Sequence, residues 1–318
     1  ELIVGDVRDP EAVRKALKGI DAVYHFAAAV GVGQSMYEVA HYTAVNNLGT
    51  AVLLEALIER PVERLVVASS MSIYGEGEYV RPDGTPAIPR PRTREQLKAG
   101  DWEVYDAEGE RLIPVPTSEA KRPDAWSVYA LSKYDQERLC LILGEAYNIP
   151  TVALRFFNAY GPRQALSNPY TGVLAIFASR YLSGRPPVIF EDGHQRRDFV
   201  SVHDVARACR LALEVPQAAG QVFNIGSGTP ITVREVAAGI ARLMRREDLP
   251  PEVSGRYRAG DIRHCFADIS RSREVLGYEP RVSFEEGLSE LAAWLEGQAA
   301  VDRTAEAQAK LAERGLVV

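Results

Sequence analysis

Arg64-Leu65-Val66-Val67-Ala68-Ser69-Ser70-Met71-Ser72-Ile73-Tyr74-Gly75 is the stretch on which the fold reading turns. After Arg64, Leu65-Val66-Val67-Ala68 form an apolar run with β-branched residues, of the kind that fills a strand buried on both faces. Serines and a glycine follow, which is turn chemistry at the strand's carboxyl end. Similar runs stand on either side: Asp21-Ala22-Val23-Tyr24-His25-Phe26 before it and Thr151-Val152-Ala153-Leu154-Arg155-Phe156-Phe157 after it. Leu2-Ile3-Val4 reads as a further buried strand, ending in the polar turn Gly5-Asp6. Helical stretches separate these runs. One covers 9–17, with Asp9 as N-cap and Pro10 in the first turn; the others cover 34–59 and 126–147. Strands alternating with helices predict an α/β fold with a doubly wound parallel sheet. Such sheets bind ligands outside the carboxyl ends of their strands. Asp6, Ala27-Ala28-Ala29 and Ser69-Ser70-Met71-Ser72 all fall at such ends, so separate polar or small-residue turns meet on one rim.

Residues 76–124, rich in proline and charge, form a long excursion between strand and helix, and loops of that length are usually functional or disordered. Asn158-Ala159-Tyr160-Gly161-Pro162-Arg163 closes the strand at 151–157 with turn chemistry. Beyond Pro169 the pattern changes. Helices are predicted over 173–182, 203–214, 233–245, 270–276, 284–295 and 305–314, and strands over 188–190, 198–202 and 221–226. This divides the chain into residues 1–168 and a smaller part, 169–318, from which 197–225 returns to the sheet.

The 318 residues have ordinary globular composition and a formal charge of −6, with no basic excess to suggest nucleic acid or an anionic membrane as partner. Gln195-Arg196-Arg197 could still hold a small anion. Cys140, Cys209 and Cys265 are widely spaced and odd in number, which fits buried thiols in a reducing, cytoplasmic setting. No metal-ligand spacing appears among the cysteines and histidines, and no apolar run reaches the ~18 residues of a membrane span.

Tyr129 and Lys133 are four residues apart, so on the helix at 126–147 they share one face. An ammonium beside a phenol favours the phenolate and lowers the tyrosine pKa. A tyrosine poised in this way can act as general base toward a hydroxyl.

The chain resembles the extended short-chain dehydrogenase/reductases, in the NAD-dependent epimerase/dehydratase branch that modifies nucleotide sugars. The likeness is carried by Gly5-Asp6-Val7-Arg8-Asp9, His25-Phe26-Ala27-Ala28, Asn46 with Gly49-Thr50, Ser69-Ser70 with Tyr74-Gly75, Tyr129 with Lys133, Arg155 through Pro162, and Arg196-Arg197-Asp198-Phe199-Val200. The excursion, Gln164 through Gly172 and Gly260-Asp261-Ile262-Arg263-His264-Cys265 are similar to segments of dTDP-L-rhamnose 4-epimerases. The resemblance implies a Rossmann-type NAD-binding region over 1–168 and a mainly substrate-binding region over 169–318. It implies NAD as cofactor, a nucleoside-diphosphate sugar as substrate, and a homodimer formed through the helices at 46–59 and 126–147. Leu53, Leu54, Leu57, Leu139 and Leu143 could serve that interface or the core. Ser70, Tyr129 and Lys133 would be the catalytic set. Asp6 and Val7 would hold the adenine end of the cofactor, Ala27 and Ala28 its middle, and Asn46 and Phe156 its nicotinamide half, with Tyr129 and Lys133. Ser70 and Asn158 would contact substrate, and Arg197 and Arg258 would neutralise its diphosphate.

The 4,6-dehydratases of this branch carry an Asp-Glu pair just after the catalytic hydroxyl, where this chain has Met71-Ser72. Epimerase and 4-ketoreductase therefore remain, with a UDP-glucose-type epimerase as the other sugar choice. The family's Gly-x-x-Gly-x-x-Gly loop is not in the sequence. It belongs with the first two strands of that fold, so about 50 residues are expected before Glu1. Without that loop the pyrophosphate has no helix N-terminus to sit on, which sets an inactive fragment or a scaffold beside the enzyme readings.

Overall fold

The computed structural model describes residues 1–166, 172–258, 261–298 and 304–317. The expected boundary at 168/169, part of the Gln164-to-Gly172 motif and Gly260 lie outside the described residues. Helix α1 (Pro10–Ala16) starts as expected: the Asp9 carboxylate accepts from the Glu11 and Ala12 amides. Strand β1 (Ala22–His25) follows. The helix expected over 34–59 is broken into α2 (Val32–Ser35), α3 (Val39–Tyr42), a π-helical segment (Thr43–Leu48) and α4 (Gly49–Glu59). Strand β2 (Arg64–Ser70) runs into a 3₁₀ turn (Met71–Tyr74).

The excursion is ordered rather than a loop. Strand β3 (Glu78–Val80) pairs antiparallel with β4 (Pro86–Ala87) and, across helix α5 (Arg94–Lys98), with β5 (Ile113–Val115). Tyr79, Val104 and Leu112 give this sheet a small core of its own. The long helix α6 (Val128–Ala146) leads to β6 (Thr151–Phe156) and β7 (Asn158–Tyr160), the latter a strand where turn chemistry alone was expected. Then come α7 (Val173–Leu182), β8 (Val188–Ile189), β9 (Arg196–Ser201), α8 (Val202–Glu214), β10 (Val222–Ile225), β11 (Pro230–Thr232) and α9 (Val233–Leu243). Strands β12 (Glu252–Val253) and β13 (His264–Cys265), with helices α10 (Ser270–Leu276), α11 (Phe284–Leu295) and α12 (Thr304–Glu313), complete the chain.

The main sheet has the order β1-β2-β6-β10, all parallel. Period-two alternation along β2 and β6 feeds two cores. Leu65, Val67 and Ala153 face α1, α4 and α6, while Val66, Val152 and Leu154 face α8 and α10. This is a doubly wound, Rossmann-type α/β arrangement. Leu53, Leu54 and Leu57 are buried in the first of these cores, with Leu139 and Leu143 packed against it. A second sheet, β11-β9-β13 with β7 also on β9, packs with α7, α9 and α11 around a separate apolar cluster.

The strand expected at Leu2-Ile3-Val4 does not form, and Leu2 and Val4 are 88% and 90% exposed. Among the described residues no strand runs beside it, and a lone strand has no ladder partner for its amides and carbonyls.

Candidate active site

Ser70 ends β2 and caps the 3₁₀ turn: its Oγ accepts from the Ser72 amide at 3.2 Å and from the Ser72 hydroxyl at 2.8 Å. The turn exits through Gly75, at φ +64°, where a Cβ would come 2.5 Å from the Asp124 carbonyl oxygen. Only glycine fits that turn, which brings the chain leaving Ser70 against the segment entering α6. Tyr129 lies in the first turn of α6, whose N-cap is Ser127. Its backbone amide donates to Ser35 Oγ at 3.0 Å and its ring meets the Tyr42 ring edge-on. The Ser70 hydroxyl acts on the phenol and favours its ionised form. The positive end of a long helix favours negative charge at this position.

Lys133 is 3% exposed, one turn further along α6. Its ammonium donates to Gln136 Oε1 at 2.8 Å, and burial brings its pKa down to about 8. Here the expectation for Tyr129 needs correction. Burial pushes the phenol above its ordinary pKa, offset in part by Ser70. Sequence spacing placed the two groups on one face, but the ammonium is directed to Gln136 instead of to the phenol.

Gln136 organises the floor of the site. Its amide nitrogen lies 2.8 Å from Thr50 Oγ1, 3.2 Å from His25 Nε2 and 3.3 Å from the Ala27 carbonyl oxygen. Thr50 in turn donates to the Asn46 carbonyl at 2.6 Å. His25, buried and close to Lys133, has its pKa drawn down to about 4, so the network carries a single cation at neutral pH. Asn46 is fully buried at the centre of the π-helical segment. Its Oδ1 accepts from the Ala29 amide at 2.7 Å, and its Nδ2 donates to the Ala29 carbonyl and to Ser132 Oγ. The strand-end segment that includes exposed Ala27 and half-buried Ala28 is thus tied to the helix of Tyr129 and Lys133. π-bulges recur at sites of this kind because one extra residue re-aims a side chain.

Phe156 ends β6 and packs edge-on against Phe26. Beneath it a buried ion pair joins the two central elements. Arg155 donates to both carboxylate oxygens of Glu137, at 2.9 and 2.6 Å, and Ser69 Oγ donates to the same carboxylate at 2.6 Å. Asp6, at the other end of the rim, is held by Arg8, which pulls its exposed carboxyl down to about 2. Val7 packs against Gly49, where a Cβ would come 2.5 Å from Val7 Cγ1.

The residues expected to meet substrate lie on β7, on β9 and near β13. Asn158 is half-buried, and its Oδ1 has no hydrogen-bond partner among the described residues. The Arg197 guanidinium donates to the carbonyls of Arg196, Ile262 and Arg263, so backbone fixes its position. Arg258 stacks over the Phe190 ring at 4.7 Å, and its Nε has no partner among the described residues. Gln136, Glu137 and Arg92 are parts of the site region that sequence reasoning did not single out. Position 137 extends the Tyr129–Lys133 spacing by one further turn, and that periodicity could have pointed to it.

The chain matches the NAD dependent epimerase/dehydratase family over residues 1–226 and belongs to it. It is 36% identical over 299 residues to the dTDP-L-rhamnose 4-epimerase of Burkholderia thailandensis, covering 93% of this chain and 81% of that protein. Among solved structures, a Thermotoga maritima UDP-glucose 4-epimerase with UDP-glucose has TM-score 0.75 and 30% identity, with 92% of this chain and 83% of that one covered. A Thermus thermophilus UDP-glucose 4-epimerase complexed with NAD has TM-score 0.73 and 30% identity, with 93% and 85% covered.

Proposed function

We propose that the chain is an NAD-dependent nucleoside-diphosphate-sugar 4-epimerase acting on dTDP-L-rhamnose and dTDP-6-deoxy-L-talose. The observation that carries this reading is that Ser70, at the end of β2 on the rim of the parallel sheet, acts on the Tyr129 phenol, with Lys133 buried one turn below and Met71-Ser72 in place of an acid pair. An elimination across C5 and C6 needs an acid and a base beside the hydroxyl, and a thioether and a second hydroxyl supply neither. Similarity to the Burkholderia enzyme supports the choice of sugar.

The residues fit the nicotinamide half of a dinucleotide. The ammonium of Lys133 has three donors and Gln136 takes one of them, leaving donors for ribose hydroxyls. Ala27 and Ala28 leave backbone open at the rim, Asn46 fixes that backbone, and Phe156 walls it. Bound there, NAD would supply reversible hydride acceptance at C4. Tyr129 accepts the O4 proton and gives it back, while Ser70 hydrogen-bonds O4 as its charge changes. Lys133 lies below the rim, where its charge favours the phenolate while its remaining donors hold the ribose. Asp6 and Val7 take the adenosine end. Asn158 offers its unpaired oxygen to substrate, and Arg258, with Arg197 behind it, meets the diphosphate.

We assign residues 1–168 to NAD binding and 169–318 mainly to substrate binding, with 197–225 returning to the sheet. The separate apolar cluster around α7, α9 and α11 supports this division. Exposed Leu131 and Ile142 on α6, with Leu48 at the start of α4, support a homodimer through these helices. Three buried cysteines without disulfides support a reducing, cytoplasmic setting. The test is incubation of the protein with NAD and dTDP-L-rhamnose, followed by NMR of the sugar. Interconversion with the C4 epimer and no net change in NADH absorbance is expected. Stoichiometric NADH formation, with accumulation of the 4-keto sugar, would make the chain a 4-ketoreductase running in reverse.

A further inference from the structure

The ion pair beneath Phe156 lies on the seam between the elements that carry Ser70, Tyr129 and Lys133. Strands β2 and β6 are registered so that Arg155 stands across from Ser69 and Phe156 across from Ser70. Glu137 reaches this seam from α6, one turn beyond Lys133 and two beyond Tyr129. Its carboxylate accepts two bonds from Arg155, at 2.9 and 2.6 Å, and one from the Ser69 hydroxyl at 2.6 Å. The remaining arm of Arg155 donates to the Tyr74 hydroxyl at 2.9 Å, at the far end of the turn that Ser70 caps. Tyr74 in turn donates to Asn224 Oδ1 on β10 at 2.6 Å. One carboxylate therefore joins both ends of the Ser70 turn, the far one through Arg155, to the helix of Tyr129 and Lys133.

Packing alone does not call for charge at this seam. An apolar pair of similar volume would fill it at equal or lower cost. What an apolar pair would not supply is a negative charge beside a buried lysine. Residues one turn apart on a helix have Cβ atoms about 5–6 Å apart, close enough for a carboxylate to support an ammonium out of water. Glu137 acts on Lys133 in this sense, against the burial that brings its pKa down to about 8. The other titratable groups around the lysine are neutral at pH 7. His25 on β1 has its pKa drawn down to about 4, the Cys140 thiol on α6 is pushed up to about 12, and burial holds the Tyr129 phenol protonated. Among the described residues this leaves Glu137, with Arg155 behind it, as the anion facing Lys133.

We propose that Glu137 is a positioning residue for the reaction, holding the positive charge of Lys133 within the fold while Arg155 and Ser69 fix its carboxylate against the strand that ends in Ser70. The inference rests on the epimerase reading for the use of that charge, and its first readout needs no turnover. Lysine isotope-labelled at Cε is titrated by carbon NMR in the ligand-free protein, and Lys133→Met assigns the signal. Glu137→Gln keeps the shape and an acceptor while removing the charge, and should lower the Lys133 midpoint by about 1–2 pH units. Arg155→Met leaves Glu137 with Lys133 as its counter-charge and should raise the midpoint, so it carries the test if Glu137→Gln does not fold. Ser69→Ala removes a tie but no charge and should leave the midpoint in place. In turnover with saturating NAD, the alkaline limb of kcat should move to lower pH in Glu137→Gln. A midpoint that Glu137→Gln leaves in place, that Arg155→Met lowers, or that Ser69→Ala moves as far as Glu137→Gln does would overturn the inference. A purely structural pair would cost stability without moving Lys133 in opposite directions. Midpoints that move as expected in a protein without turnover would count against the epimerase reading and leave the hold of Glu137 on Lys133 standing.

Discussion

Lys133→Met should make this protein more stable at neutral pH. The Lys133 ammonium is 3% exposed, and burial brings its pKa from an ordinary 10.5 to about 8. Each unit of such a difference is about 1.4 kcal/mol, so holding the charge inside costs about 3 kcal/mol at pH 7, where lysine is protonated both folded and unfolded. Between pH 8 and 10.5 the unfolded chain keeps a proton that the folded protein has released, so this cost fades and stability rises with pH. Methionine matches the shape without the charge, but it leaves Gln136 Oε1 without its donor at a cost of about 1–2 kcal/mol. The net gain at pH 7 is therefore about 1–2 kcal/mol. Urea unfolding followed by circular dichroism at pH 7 and pH 10, on both proteins, reads the difference directly. The gain should shrink and then reverse as pH rises, because only the unaltered protein sheds the cost. A variant that is less stable at pH 7, or a difference independent of pH, would refute the argument.

Glu137→Leu leaves Arg155 as a buried, unpaired cation and should cost about 3–5 kcal/mol, with Arg155→Met in the same chain restoring a large part. Denaturant titration of the two variants checks this, and a loss below about 1 kcal/mol for the single change would count against it. Tyr129→Phe should lower epimerisation about 10²–10⁴-fold while calorimetry still registers NAD; an unchanged rate removes the phenol from the mechanism. In the ligand-free protein, ultraviolet titration of the unaltered chain minus Tyr129→Phe should show no phenolate from Tyr129 below about pH 10, because burial opposes ionisation. A signal near neutrality would mean that the Lys133 ammonium is directed at the phenol.

The parts of the site that follow from local periodicity were legible in the sequence. The apolar run at Arg64–Ser70 and its serine turn, the capped start of α1 and the four-residue spacing of Tyr129 and Lys133 all appear where the pattern put them. The direction of the phenol's pKa was not legible, because spacing reports which residues share a face but not which acceptor an ammonium chooses. Gln136 is three residues from Lys133, yet its other partners, Thr50 and His25, are 86 and 111 residues away. The Leu2-Ile3-Val4 run has strand composition but, among the described residues, no strand beside it to pair with, and composition does not report that. The π-helical segment around Asn46 was hidden for the opposite reason: its residues suit an α-helix, and the ties from Asn46 to Ala29 and Ser132 accompany the departure. Strands of two residues, such as β12 and β13, are too short to carry any periodicity.

The carboxylate of Glu76 has a consequence for the evolution of this scaffold. It accepts the backbone amides of Arg263 and His264 and the hydroxyl of Tyr79, so one side chain fastens the root of the excursion to the strand beside Arg197. Arg92, reaching Glu191 and Asp261 from the same excursion, adds a second fastening. Residues 76–124 are therefore not a module that recombination can exchange alone. A transplanted segment would arrive without its counterparts at 191 and 261–264, and a new sugar preference would come only with coordinated change at sequence positions far apart. Gradual substitution at the two fastenings is the route this architecture leaves open, and an engineer replacing the excursion faces the same constraint.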